Sequence, residues 1–206
     1  FADLIGVEMT TLHGIYGKSS DWKGWSRYEL WRVLNDAGYT DLASDVKADI
    51  KGTGTPSSNY HVYKDTFWQA SEYYTALVSE VAGYAPKSRF GWYEKGYAGD
   101  VGDTLKSTWG ELFSGPDTSG ETADFFNSNE IGFWINPNGV SGRYYFTDTG
   151  SNSGKLQAVI FSLGGYNGFG NNEYLIALED LPYCSSDKDY QDMIIRLKTQ
   201  AVPEPS

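Results

Sequence analysis

The stretch Ile131-Gly132-Phe133-Trp134-Ile135, closed by Asn136-Pro137-Asn138-Gly139, is an aromatic and β-branched run that stops at a strong turn signal. The same pattern repeats downstream. Arg143 to Thr147, Leu156 to Leu163, Glu173 to Leu178 and Met193 to Leu197 are short apolar-rich runs separated by Gly, Asn, Ser and Asp clusters. Runs of this length and spacing predict the strands of an antiparallel β-sandwich. Upstream, Thr75 to Ala82 fits a helix or a strand. The Ala85-Pro86-Lys87-Ser88 turn and the aromatic Phe90-Gly91-Trp92-Tyr93 beyond it favour a hairpin. The opening Ala2 to Met9 has the pattern of a first strand, but it is too short to separate from a loop.

Two helices interrupt this β grammar near the beginning. Ser26 and Glu29 have the spacing of a capping box, in which each side chain satisfies an orphan amide of the first turn. Tyr28, Leu30, Trp31 and Leu34 supply an apolar face, and Gly38 stands where a left-handed terminating residue belongs. Leu42, Val46 and Ile50, four apart, predict a second short helix that ends at Gly52. Residues 52 to 59 are a loop by composition. The expected organisation is one mainly β domain over 1–197, with a small helical N-terminal elaboration at about 26–52, followed by a tail over 198–206.

Composition agrees with that reading and excludes several functions. Hydrophobic residues make up 40% of the chain and aromatics 16%, with 16 Tyr and 7 Trp, enough to build a core and to favour strands. A net charge of −11 with no basic stripe repels phosphate backbones, so nucleic acid is not an expected partner. No run of about 18 apolar residues exists, so no transmembrane segment is expected. Cys184 is the only cysteine, which rules out an intrachain disulfide and points to a buried or unreactive thiol. The start at Phe1 rather than Met fits a chain whose leader has been removed.

The chemistry concentrates late in the chain. Glu179-Asp180 and Asp187-Lys188-Asp189-Tyr190-Gln191-Asp192-Met193 place five carboxylates in fourteen positions. Like charges at that density need water or a cation between them. Six to eight oxygens of this kind suit calcium, with backbone carbonyls completing the shell. Asp187 and Asp189 share one side if the backbone there is extended. An EF-hand is excluded, because the glycine at the sixth position and the glutamate at the twelfth are missing. On spacing alone, a solvated acidic loop and a calcium site stand level.

Glu-Asp-x(6)-Asp-x-Asp-Tyr-x-Asp-Met resembles a signature of a secreted bacterial β-domain family of unknown function. Members often precede a PEP-CTERM sorting tail. The family's upstream features are matched by Ile131–Ile135, by Tyr144-Tyr145-Phe146-Thr147-Asp148 with Asn152, and by the strand Tyr174–Leu178. Gln191 stands where the family commonly has Asn. The likeness covers about residues 125 to 197. It implies an extracellular β-sandwich that binds calcium. Taken with the acidic cluster, the expected metal ligands are Glu179, Asp180, Asp187, Asp189 and Asp192, with Asp148 and Asn152 as further contributors. Val202-Pro203-Glu204-Pro205-Ser206 is similar to the PEP-CTERM motif, which an exosortase acts on at the cell surface.

The remaining candidates are weaker. Trp22, Trp25 and Trp31, or Trp92 with Tyr93, could stack on sugar rings, which keeps a carbohydrate-binding module as the alternative reading, although filling the core is their commoner use. His13 and His61 are the only imidazoles, and neither adjoins a catalytic motif. Gly164 to Gly170 lacks the lysine and helix of a phosphate cradle and reads as a flexible hairpin loop. No enzyme is expected. The expected role is a calcium-stabilised structural or adhesive protein, secreted or at the cell surface. Its expected partners are further copies in a homo-oligomer or filament built by strand addition, or extracellular polysaccharide.

Overall fold

In a computed structural model, the described residues form eleven strands, all paired antiparallel. It describes residues 4–9, 30–51, 60–69, 71–80, 87–115, 117–139, 142–164, 166, 169–179 and 192–200. In chain order the elements are β1 (Leu4–Met9), α1 (Leu30–Asp36), α2 (Thr40–Lys51), β2 (His61–Trp68), β3 (Ser71–Glu80), β4 (Arg89–Glu94) and β5 (Trp109–Phe113). They continue with β6 (Thr122–Asn127), β7 (Ile131–Asn136), β8 (Tyr145–Phe146), β9 (Ala158–Ser162), β10 (Glu173–Leu178) and β11 (Met193–Gln200). The sheet order is β5-β4-β7-β2-β9-β10-β11-β3-β6, with β1 on β2 and β8 on β7. A mainly β, antiparallel fold with two short helices is therefore established.

The two ends of this path approach each other. Phe125 of β6 stacks on Trp92 of β4 at 5.7 Å and meets Phe133 of β7 at 6.4 Å. Trp68, Phe90, Phe133, Ile160, Tyr174, Ile176 and Ile195 share that interior. A single register pair, Trp68 with Ile131, joins β2 to β7, so the sheet turns a corner there and becomes nearly barrel-like.

The central strands read as continuous apolar runs because both of their faces are covered. On β10, Tyr174, Ile176 and Leu178 enter the interior, while Leu175 and Ala177 face the helices. The helices bury Leu30, Val33, Leu34, Leu42, Ala43 and Val46 against Val159, Phe161 and Ile194. Gly38 adopts φ +91°, and the Tyr39 amide reaches back to the Leu34 carbonyl at 2.9 Å, which ends α1 as the sequence predicts. Ser26 and Glu29, the expected capping pair, lie outside the described residues.

One expectation needs correction. Within the expected Thr75–Ala82 run, Thr75 to Glu80 are strand and the last two residues lie outside the described ones; Phe90–Tyr93 are strand as well, but the two strands do not pair as a hairpin. β3 joins β11 and β6, while β4 joins β7 and β5. The reason lies in β4, where Gly91 and its neighbours fit closely against β5 and β7. A Cβ on Gly91 would sit 2.0 Å from the Gly110 carbonyl and 2.5 Å from the Trp134 ring.

Candidate functional site

The β10–β11 register ends with Leu178 opposite Met193; Glu179 directly follows β10 and Asp192 directly precedes β11 at that end of the sheet. Glu179 is 1% exposed and Asp192 is partly buried. A carboxylate as deep as Glu179 requires donors or a cation around it. The Glu179 amide donates to the Gln157 carbonyl at 3.0 Å, which ties the acidic end to the segment leading into β9. Asp180, Asp187 and Asp189 lie outside the described residues, as do Cys184, His13 and the motif Val202–Ser206. Among the described residues, no group of three or more His, Cys, Asp or Glu is placed to hold a metal ion.

Gln157 follows the loop that carries Asp148 and Asn152, so among the described residues the Glu179 backbone is joined to the segment just after that loop. Asn152 holds this loop closed. Its Oδ1 accepts from the Phe146 amide at 3.0 Å, and its Nδ2 donates to the carbonyls of Phe146 at 2.7 Å and Asp148 at 2.9 Å. Asp148 is buried; its Oδ1 accepts the Ser151 amide at 2.7 Å, and its Oδ2 accepts the Tyr93 hydroxyl. Burial foremost, and then the Asp148 charge, hold the Tyr93 phenol far above its ordinary pKa. Each of these side-chain oxygens retains a second lone pair.

Asp65 completes the arrangement, and the sequence reading missed it. It sits inside β2 at φ +53°, and its Oδ1 accepts the Thr149 amide at 2.7 Å and the Thr149 hydroxyl at 2.5 Å. The signal was an Asp in the middle of His-Val-Tyr-Lys-Asp-Thr-Phe-Trp. Asp is poorly suited to strands but is among the residues that tolerate left-handed backbone. Thr147 extends the network inward: its hydroxyl donates to the Thr66 carbonyl at 3.2 Å and accepts the Phe133 amide at 3.0 Å.

The aromatic candidates are placed differently. Tyr93 is fully buried and Trp92 is stacked on Phe125, so this pair belongs to the packing. Trp31 is partly buried, with the Lys47 ammonium 4.0 Å from its ring centre. None of the described tryptophans (31, 68, 92, 109 and 134) is exposed, and Trp22 and Trp25 lie outside the described residues. His61 meets Glu8 at 2.6 Å, linking β2 to β1. In the glycine-rich loop, Tyr166 is buried and its hydroxyl donates to Asp45 at 3.0 Å, while Phe169 stacks on Tyr39 at 5.5 Å. These two side chains anchor the loop to the helices.

Residues 118–200 match a family described as Domain of unknown function (DUF4114), a span that takes in both Asp148–Asn152 and Glu179–Asp192. No curated protein and no solved structure matches the chain.

Proposed function

We propose that this chain is a structural or adhesive protein of the cell surface or extracellular matrix, braced by calcium at the acidic end of its sheet. In this reading the curled sheet works as a sandwich, and the ion holds together strand ends that carboxylate repulsion would otherwise separate. Glu179, Asp180, Asp187, Asp189 and Asp192 form the ligand set, with Asp148 and Asn152 beside them. The PEP-type tail directs the protein outward, and assembly of copies into a matrix or filament is part of the same reading. Its role is to hold and to bind rather than to catalyse. The observation that supports it is the deep burial of Glu179 directly after the last β10–β11 pair, the end at which Asp192 enters β11, with its backbone bonded to Gln157 just beyond the Asp148–Asn152 loop.

Thermal melting in calcium against chelator tests the proposal. An ion that binds only the folded state at a hundredfold excess over its Kd adds about 2.7 kcal/mol. For a chain of this size that raises Tm by about 5–11 °C. The Asp187→Asn, Asp189→Asn double variant is expected to lose most of this rise. Identical melting in chelator and in millimolar calcium would remove the ion from the account.

A further inference from the structure

The helices cover only part of the face on which they lie. They pack over β2, β9 and β10 and reach Ile194 of β11 and Val78 of β3, whereas farther along that face Lys198 and Gln200 of β11, Glu72 and Tyr74 of β3, and Asp124 and Phe126 of β6 are exposed to solvent. Two large aromatics stand there: Phe126 of β6 is 57% exposed and Tyr74 of β3 is 37% exposed. The register pairs Glu72 with Phe126 and Tyr74 with Asp124, so the two rings are diagonal neighbours, about 7–8 Å apart in a regular sheet. On the far side of β3, Lys198 pairs with Tyr74 and Gln200 with Glu72. Glu72, Asp124, Lys198 and Gln200 are all exposed.

We propose that this open sheet face, centred on Tyr74 and Phe126, binds a polysaccharide made of neutral or amino sugars. A sugar chain needs flat apolar surfaces for its ring faces and hydrogen-bonding groups for its hydroxyls. The patch interleaves the two on neighbouring strands of one sheet face. The Tyr74 hydroxyl donates to Glu72 Oε2 at 3.0 Å, which fixes that ring before any ligand arrives and lowers the entropy lost on binding.

The charges select the class of sugar. Two carboxylates, Glu72 and Asp124, face one ammonium, Lys198, on a protein of net charge −11. Polymers rich in carboxylate or sulfate are repelled, while neutral ones are tolerated and protonated amines attracted. A protein partner fits less well, because interface cores are depleted of charged side chains and here they surround both rings. Pairing of β6 with a second copy is opposed by Asp124, a carboxylate in the middle of the outermost described strand.

The test is affinity electrophoresis of the full chain through gels containing laminarin, xyloglucan, glycol chitosan or alginate, followed by titration calorimetry with the retarding polymer. Retardation by a neutral or amino polymer and none by alginate is expected. Phe126→Ala and Tyr74→Ala are each expected to weaken binding about tenfold. Both positions are exposed, so melting temperatures should stay near wild type, which separates lost binding from lost fold. The test also runs in chelator, so a failed calcium bracing and a failed sugar site show up separately. The proposal is overturned by no retardation in any neutral or amino polymer, by equal retardation in alginate, or by retardation that both variants retain. Concentration-dependent self-association abolished by Phe126→Ala, without sugar binding, would overturn it in favour of contact between copies.

Discussion

Replacing Asp148 with alanine removes the acceptor of two donors, the buried Tyr93 hydroxyl and the amide of the exposed Ser151. The buried Tyr93 hydroxyl left without its acceptor costs about 1–3 kcal/mol and the lost Ser151 bond about 0.5–1.5 kcal/mol, so about 1.5–4.5 kcal/mol is expected in all. For a chain of this size that lowers Tm by about 3–18 °C. Tyr93→Phe acts more mildly. It keeps the ring that packs edge-on against Phe146 at 5.0 Å and against Phe67 at 6.3 Å, and removes only one charge-assisted bond, about 1.5–3 kcal/mol. Because the two side chains share that bond, the double variant should fall short of the sum by at least about 1 kcal/mol. Urea unfolding of the four proteins at constant m-value measures the cycle. A loss below about 1 kcal/mol for Asp148→Ala, or strict additivity, would refute the view that this pair locks the loop to the core.

Further predictions address packing and pH. Gly91→Ala forces a Cβ to within 2.0 Å of a backbone carbonyl, which no rotamer change relieves, so a loss of about 3 kcal/mol or more is expected in urea unfolding, against little change for the open Gly99. Tyr60, Tyr93 and Tyr166 all have pKa values raised chiefly by burial, with Asp49 adding to it at Tyr60, Asp148 at Tyr93 and Asp45 at Tyr166. Their folded values lie above the unfolded value, so their contribution is complete below about pH 10 and declines as alkali ionises the unfolded chain first. Ultraviolet titration should therefore show these three phenols ionising only as the protein unfolds; full ionisation near pH 10 with the fold intact would contradict the burial argument.

The sequence revealed what composition controls and concealed what distant partners control. β10 was legible to the residue, because a strand covered on both faces must be apolar throughout and Glu173-Tyr174-Leu175-Ile176-Ala177-Leu178 leaves no other reading. β2, β5 and β6 went unread. Asp65 breaks the alternation of β2 at φ +53°, Gly110 thins β5, and the edge strand β6 carries Asp124 and an exposed Phe126. The false β3–β4 hairpin arose because local turn signals do not specify pairing when both strands have stronger partners elsewhere. Asp65 offered only the local signal of an Asp inside a strand, and its role stayed hidden because Thr149, its partner, lies 84 residues away.

The calcium proposal and the Asp148 prediction bear on each other, because one loop joins them. Asp148 faces inward to Tyr93, and nine residues on, Gln157 receives the Glu179 amide, so the loop is the covalent path between the aromatic core and the acidic end. If Asp148 only holds that loop, Asp148→Ala lowers stability by a similar amount with and without calcium, and the rise in Tm on adding the ion survives. If Asp148 also ligates, the substitution removes an oxygen from the shell, and the loss with calcium exceeds the loss in chelator. The hydrogen bonds favour the first outcome, since Oδ1 and Oδ2 each already accept a protein donor that fixes the carboxylate toward the loop and the core. A coupling above about 1 kcal/mol between the substitution and the ion would place Asp148 among the ligands and make the core itself responsive to calcium.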